Sequence, residues 1–215
     1  MMQDICYISL GSDCSVSYQL RRLGLQIYGT MPFDWMRIDK IQDVISILEA
    51  EFSEFAKFES YSIKEQSLAF DYFDFDSKAN VKANVKANVK ANVKANVNEK
   101  SQYRMVHTKH KFILPHEYQG SLIDSKEFQD KYSRRITRFL EIGRNSALRK
   151  VFIRLGTVKE LELIGNLHTA LDKLDIMNYE IKYIILEEWI ESIPKDEPFR
   201  WQRDYIPWEK LLILQ

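Results

Sequence analysis

Apolar positions along the chain follow two periods in turn, and the elements they predict alternate strand, helix, strand, helix. Ile5-Cys6-Tyr7-Ile8-Ser9-Leu10 is a short apolar run closed by Gly11, which predicts a buried strand. Ser12 or Asp13 then caps a helix whose Val16, Leu20 and Leu23 share one face, with Gly24 as its stop. Residues 39 to 50 place Ile41, Ile45 and Leu48 at helical spacing. Residues 68 to 75 alternate aromatic and acidic side chains and predict a strand or a sheet edge, and Lys111 to Pro115 predicts a second short strand. A helix from about Ser125 to Gly143 buries Phe128, Tyr132, Ile136, Phe139 and Leu140. Val151 to Leu155 is a strand, Val158 to Leu174 a helix and Ile181 to Leu186 a strand. This order predicts an α/β fold, one domain over residues 1–215, with a mostly parallel sheet covered by helices on both faces.

One segment breaks the pattern. Lys-Ala-Asn-Val recurs in tandem over residues 78–97. Four residues are too few for a solenoid unit, and each repeat offers one sizeable apolar side chain, so the stretch reads as a solvated loop insert within the domain. It also changes the charge account. The whole chain has 31 basic and 31 acidic residues, but the five lysines of the repeat meet no acid there, which leaves the remaining body at −5. A mildly acidic body does not suggest a nucleic-acid partner. Hydrophobic residues at 45% supply a sizeable core. No apolar run reaches the roughly 18 residues of a membrane span, so no membrane is expected. The start Met1-Met2-Gln3-Asp4 lacks a basic region before an apolar one, and the two cysteines, Cys6 and Cys14, form no disulfide framework. A reducing, cytoplasmic setting is expected.

Ligands of parallel sheets gather at the carboxyl ends of the strands. That rule marks Gly11 to Cys14, Pro115 to Glu117, and Arg154 to Gly156. Cys14 falls in the first turn of the first helix, where unpaired N–H groups and the helix dipole favour a thiolate and can hold an oxyanion. Asp13 opposes this unless its carboxylate turns away to cap the helix. The bland alternative for Cys14 is a small residue at a tight turn, and Cys6 reads as core. A nucleophilic thiol needs a base. Among His107, His110, His116 and His168, the first two look solvated, and His168 lies inside a helical pattern. His116 follows Phe112-Ile113-Leu114-Pro115, at a strand's carboxyl end.

Pro32-Phe33-Asp34-Trp35-Met36 sets an acid between two aromatics, so Asp34 is a candidate to orient the histidine. Glu117 is its rival, although adjacent residues of an extended segment face opposite ways. Arg154 ends a buried strand and needs a partner such as Asp34 or a bound anion. Ser12 and Arg154 are therefore the oxyanion or anion-binding candidates. Arg134, Arg135 and Arg138 read as a solvated helix face. No Gly-rich nucleotide loop and no Cys-x-x-Cys occurs, so no cofactor and no metal is expected.

These residues resemble a known family, the "putative papain-like cysteine peptidases", a domain of unknown function found in bacteria and large DNA viruses. The matching stretches are Ile8 to Cys14, Tyr18 to Gly24, Pro32-Phe33-Asp34-Trp35, His116-Glu117-Tyr118, Tyr132 to Phe139 and Phe152-Ile153-Arg154. The resemblance implies Cys14 as nucleophile and His116 as base, and their convergence at one expected sheet edge suggests a thiol hydrolase or acyl transferase acting on a peptide or other acyl substrate. Two other readings use the same sheet edge. One is a non-catalytic binding module in which Cys14 is structural. The other is an anion- or sugar-binding α/β enzyme working through Ser12 and Arg154.

Overall fold

The computed structural model describes residues 5–66, 102–117, 124–192 and 202–213. The repeat at 78–97 and the strand expected at 68–75 lie outside them. Three strands form a parallel sheet in the order β1-β5-β6: β1 (Ile5–Ser9), β5 (Arg149–Gly156) and β6 (Tyr179–Ile185). Ile8 pairs with Phe152 and Phe152 with Ile181, which makes β5 the central strand. It is buried at every position but its first, as an apolar run covered on both faces should be.

Helices cover both faces, as the alternation predicts. On one side, α1 (Cys14–Arg22) sends Val16 and Leu20 onto Val151, Ile153 and Leu155, joined by Ile206, Trp208 and Leu212 of the C-terminal stretch with its short α5 (Trp208–Leu212). On the other side, α2 (Ile41–Glu49), α3 (Ser125–Arg144) and α4 (Ile164–Asp172) pack around Cys6, Ile8, Leu10 and Phe152. Phe128, Tyr132 and Phe139 are buried along α3 at helical spacing, while Ile136 and Leu140 are partly covered. The helix expected over 158–174 starts as a 3-10 turn, Val158–Leu163, and becomes α-helical only at Ile164.

A second sheet lies beside the first and is antiparallel: β2 (Tyr61–Gln66), β3 (Gln102–His107) and β4 (Ile113–Leu114). The strand expected at 111–115 is β4. A mostly parallel sheet would make it parallel, and it instead folds back on β3 through a tight turn, with the His107 amide donating to the Phe112 carbonyl at 2.9 Å. So short a connection permits only antiparallel pairing. The same turn corrects the solvated reading of His107. Its ring is buried against Phe112, its Nδ1 accepts from the amides of Lys109 and His110, and burial drops its pKa to about 4.

Candidate active site

The site begins where β1 ends. Gly11 and Ser12 both have positive φ, +80° and +98°, which turns the chain from strand into helix within two residues. An added Cβ at Gly11 would also crowd Ile38, whose Cδ1 would lie 3.3 Å away. Asp13 is the helix cap. Its Oδ1 accepts from the Ser15 amide at 2.8 Å and from the Ser15 hydroxyl. Its Oδ2 accepts two bonds from Arg203, from Nε at 2.8 Å and Nη2 at 2.7 Å. Cys14, the first residue of α1, is partly exposed and carries a free thiol.

Two consecutive residues of the next loop splice the sheets together. Arg37 exchanges both backbone hydrogen bonds with Ile113 of β4, each at 2.9 Å, and the Ile38 amide donates to the Ser12 carbonyl at 2.9 Å. The Cys14 turn is thereby fixed beside the turn that follows β4, which carries His116. The Cys14 sulfur lies 3.6 Å from His116 Nε2, across 102 residues of sequence. The expected neighbourhood is present, but its cause is the splice between two sheets and not a shared parallel edge. Trp35, in a left-handed conformation at φ +63°, sets its ring edge-on to His116 with centroids 6.0 Å apart, and Arg21 of α1 lies 4.9 Å over the same ring.

The electrostatics of the pair differ from the thiolate expected at a helix start. Burial first, and then the charge of Asp13, push the Cys14 thiol up to about 12, against an opposing pull from Arg104. His116 is held below the ordinary imidazole value by partial burial and by the charge of Arg104. Both groups are therefore neutral at pH 7, with the proton on sulfur. Arg104 was not singled out in the sequence. It lies in β3, and its Nη1 donates to the Pro115 carbonyl at 2.9 Å, which ties the guanidinium to the His116 turn. No motif surrounds it, and only the pairing of β3 with β4 brings it here.

Three candidates find other partners. Asp34 is 1% exposed and accepts from the Ser17 hydroxyl at 2.7 Å, Gln26 Nε2 at 2.6 Å and the Met31 amide at 2.6 Å. Among the described residues these are its hydrogen-bond partners, so it secures the loop that carries Trp35 to α1 and does not hold His116. Arg154 is wholly buried. It bonds both oxygens of Glu160 at 3.2 and 3.3 Å, and its Nη1 reaches the carbonyl of Ile38 at 3.0 Å and that of Leu10 at 3.5 Å. Its partner acid is Glu160, not Asp34, and its burial closes it to a substrate anion. Glu117, in the turn after β4, is engaged elsewhere: it accepts from Lys131 Nζ at 2.6 Å and from the Tyr132 hydroxyl at 3.0 Å. Ser12 stays at the turn, partly exposed, two residues before the thiol. The helix face read as solvated is also in part engaged: Arg138 donates to the Thr30 carbonyl at 2.6 Å, and Arg135 lies 4.9 Å over the Tyr132 ring.

Among the described residues no group of three His, Cys, Asp or Glu side chains is placed to hold a metal ion. No helix among them is long and apolar enough to cross a membrane.

Residues 5–188 match the family described as "Putative papain-like cysteine peptidase", and the chain belongs to that family. A protein of Acanthamoeba polyphaga mimivirus, "Uncharacterized protein R408", is 27% identical over 241 residues, covering 99% of each chain. No solved structure matches.

Proposed function

We propose that the chain is a thiol hydrolase or acyl transferase of the cytoplasm, acting on a peptide or other acyl substrate, with Cys14 as nucleophile and His116 as general base. The observation that supports this most is the 3.6 Å approach of the Cys14 sulfur to His116 Nε2. Burial and the neighbouring Asp13 raise the Cys14 thiol and so favour its protonated form at pH 7. The proton therefore moves to Nε2 as the sulfur–carbon bond forms, and no ion pair precedes the substrate. His116 then returns the proton to the leaving group, and an acyl-Cys14 thioester remains. Water, or an acceptor nucleophile, attacks that thioester and passes its own proton to the same nitrogen; the carbon–sulfur bond then breaks, the acyl group leaves on the acceptor, and His116 returns the proton to the Cys14 sulfur. Arg104 supplies positive charge beside the reacting atoms, the part first assigned to Arg154. Trp35, with Arg21 stacked over its ring, flanks the imidazole on one side.

The test is a panel of fluorogenic thioesters, esters and short peptides offered to wild type, Cys14→Ala and His116→Ala. Turnover that both substitutions abolish supports the assignment. Turnover that survives Cys14→Ala removes it.

A further inference from the structure

We propose that Arg203 is a positioning residue for Cys14: through Asp13 it sets the first turn of α1 and neutralises the carboxylate standing beside the thiol. The proposal builds on Cys14 as the reacting group. Arg203 lies beyond residues 5–188, the span matched to the family, so that match does not assign it.

The geometry is that of a clasp made of two interlocked parts. Arg203 is 6% exposed and grips one carboxylate oxygen of Asp13 with two nitrogens, across 190 residues of sequence. The other oxygen is occupied by Ser15, so the acid is satisfied on both sides. Arg203 is itself fixed. Its backbone is left-handed at φ +52°, and its carbonyl accepts from the Ile206 amide at 3.0 Å and the Trp208 indole at 2.9 Å. Its Nη1 donates to the Tyr205 hydroxyl at 3.1 Å. One turn further along α1, Gln19 Nε2 donates to the Gln202 carbonyl and to Asp204 Oδ1, both at 2.7 Å.

A helix cap needs an acceptor for its amides and no guanidinium. What the guanidinium adds is charge. Asp13 is 8% exposed and adjoins the thiol, where water cannot screen it well. Among the described residues, the ionisable groups facing Cys14 are Asp13 from its own cap, Arg104 from β3 and His116 from the turn after β4. Of these, only Asp13 adds negative charge. Burial alone would raise the Asp13 pKa, and Arg203 and Ser15 reverse that and hold it below the ordinary value, so the acid stays ionised and its compensation must come from Arg203.

The test is the rate at which iodoacetamide alkylates Cys14 in the full chain between pH 7 and 9.5, read on the Cys14 peptide by mass spectrometry, with circular dichroism to confirm folding. Uncovering one charge beside the sulfur moves its titration by about one pH unit. Allowing for the greater nucleophilicity of a more basic thiolate, Arg203→Met should react about three- to tenfold more slowly at a given pH. Asp13→Asn keeps a capping residue, removes the charge and should react faster by a similar factor. The double variant should return to within about twofold of wild type. If Arg203→Met matches wild type, or the double variant stays as slow as the single, the proposal is overturned. Should Arg203→Met not fold, Asp13→Asn decides alone, and an unchanged rate there overturns it. Because alkylation is read and not turnover, failure of the hydrolase assignment leaves this result standing, and the reverse also holds.

Discussion

Asn in place of Asp34 separates two roles for that acid, and the structure sets the magnitude. Asp34 holds Ser17, Gln26 and Met31 in a buried pocket, and burial raises its pKa from 3.8 to about 6 despite the Met31 and Ser17 bonds and the charges of Arg135 and Arg21. A folded value roughly 2 pH units above the ordinary one corresponds to about 3 kcal/mol. Between pH 3.8 and about 6 the folded chain keeps this proton and the unfolded chain does not. The group's contribution to stability is thus full below pH 4 and falls as pH rises through 6. Asparagine does not titrate. Of the pH values 4, 5.5 and 7, the stability advantage of wild type over Asp34→Asn should therefore be largest at pH 4 and shrink by about 2 kcal/mol by pH 7. Urea unfolding of both proteins at pH 4, 5.5 and 7 measures this, and the subtraction cancels every other titrating group. A difference that is independent of pH, or that grows with pH, refutes the reasoning. Turnover gives a second check. If Asp34 oriented His116 as a triad acid does, the substitution would cost about 10⁴ in kcat with folding intact. An acid that secures the Trp35 loop should cost far less than that.

Further predictions follow from the same contacts. Arg154→Met should lower stability by about 3–5 kcal/mol, because Glu160 loses its buried partner while still tied to Ile41 and Tyr183; equilibrium unfolding checks it. Gly11→Ala should cost about 1–3 kcal/mol, from the left-handed backbone and the crowding at Ile38, as seen in a lower urea midpoint. Because His116 is held below the ordinary imidazole value, it stays a base into mild acid, and the acid limb of kcat/KM should fall below pH 6.5. Iodoacetamide should alkylate Cys14 more slowly at pH 7 than it alkylates an unperturbed cysteine, in keeping with a thiol at about 12.

What the sequence discloses follows the range of the interactions. β1, α3, β5 and β6 announce themselves in apolar runs and helical spacing, because burial against the core is written residue by residue. β2 and β3 do not. Tyr-Ser-Ile-Lys-Glu-Gln and Gln-Tyr-Arg-Met-Val-His each alternate over only two apolar positions, Tyr61 and Ile63 in one and Tyr103 and Met105 in the other, and 35 residues separate them. Their pairing is a long-range fact that no local pattern encodes. The same limit explains the site. Cys14 and His116 stand out by type and by position after strands, yet the link between them runs through the backbone of Arg37 and Ile38, where side-chain identity says nothing. Asp34 is recognisable as an acid among aromatics, but its donors come from α1 and from its own loop. Arg154 does need an acid, and finds it six residues on in Glu160. Arg203 leaves no local trace at all, since its partner lies at the opposite end of the chain.

The central claim is that the Cys14–His116 pair carries out acyl chemistry, and the most direct measurement is acyl transfer from an activated ester to the full chain, followed by mass spectrometry. An acyl group on Cys14, formed at least a hundredfold more slowly in His116→Ala, is the predicted result. Acylation elsewhere, or the same Cys14 rate with and without the imidazole, contradicts it.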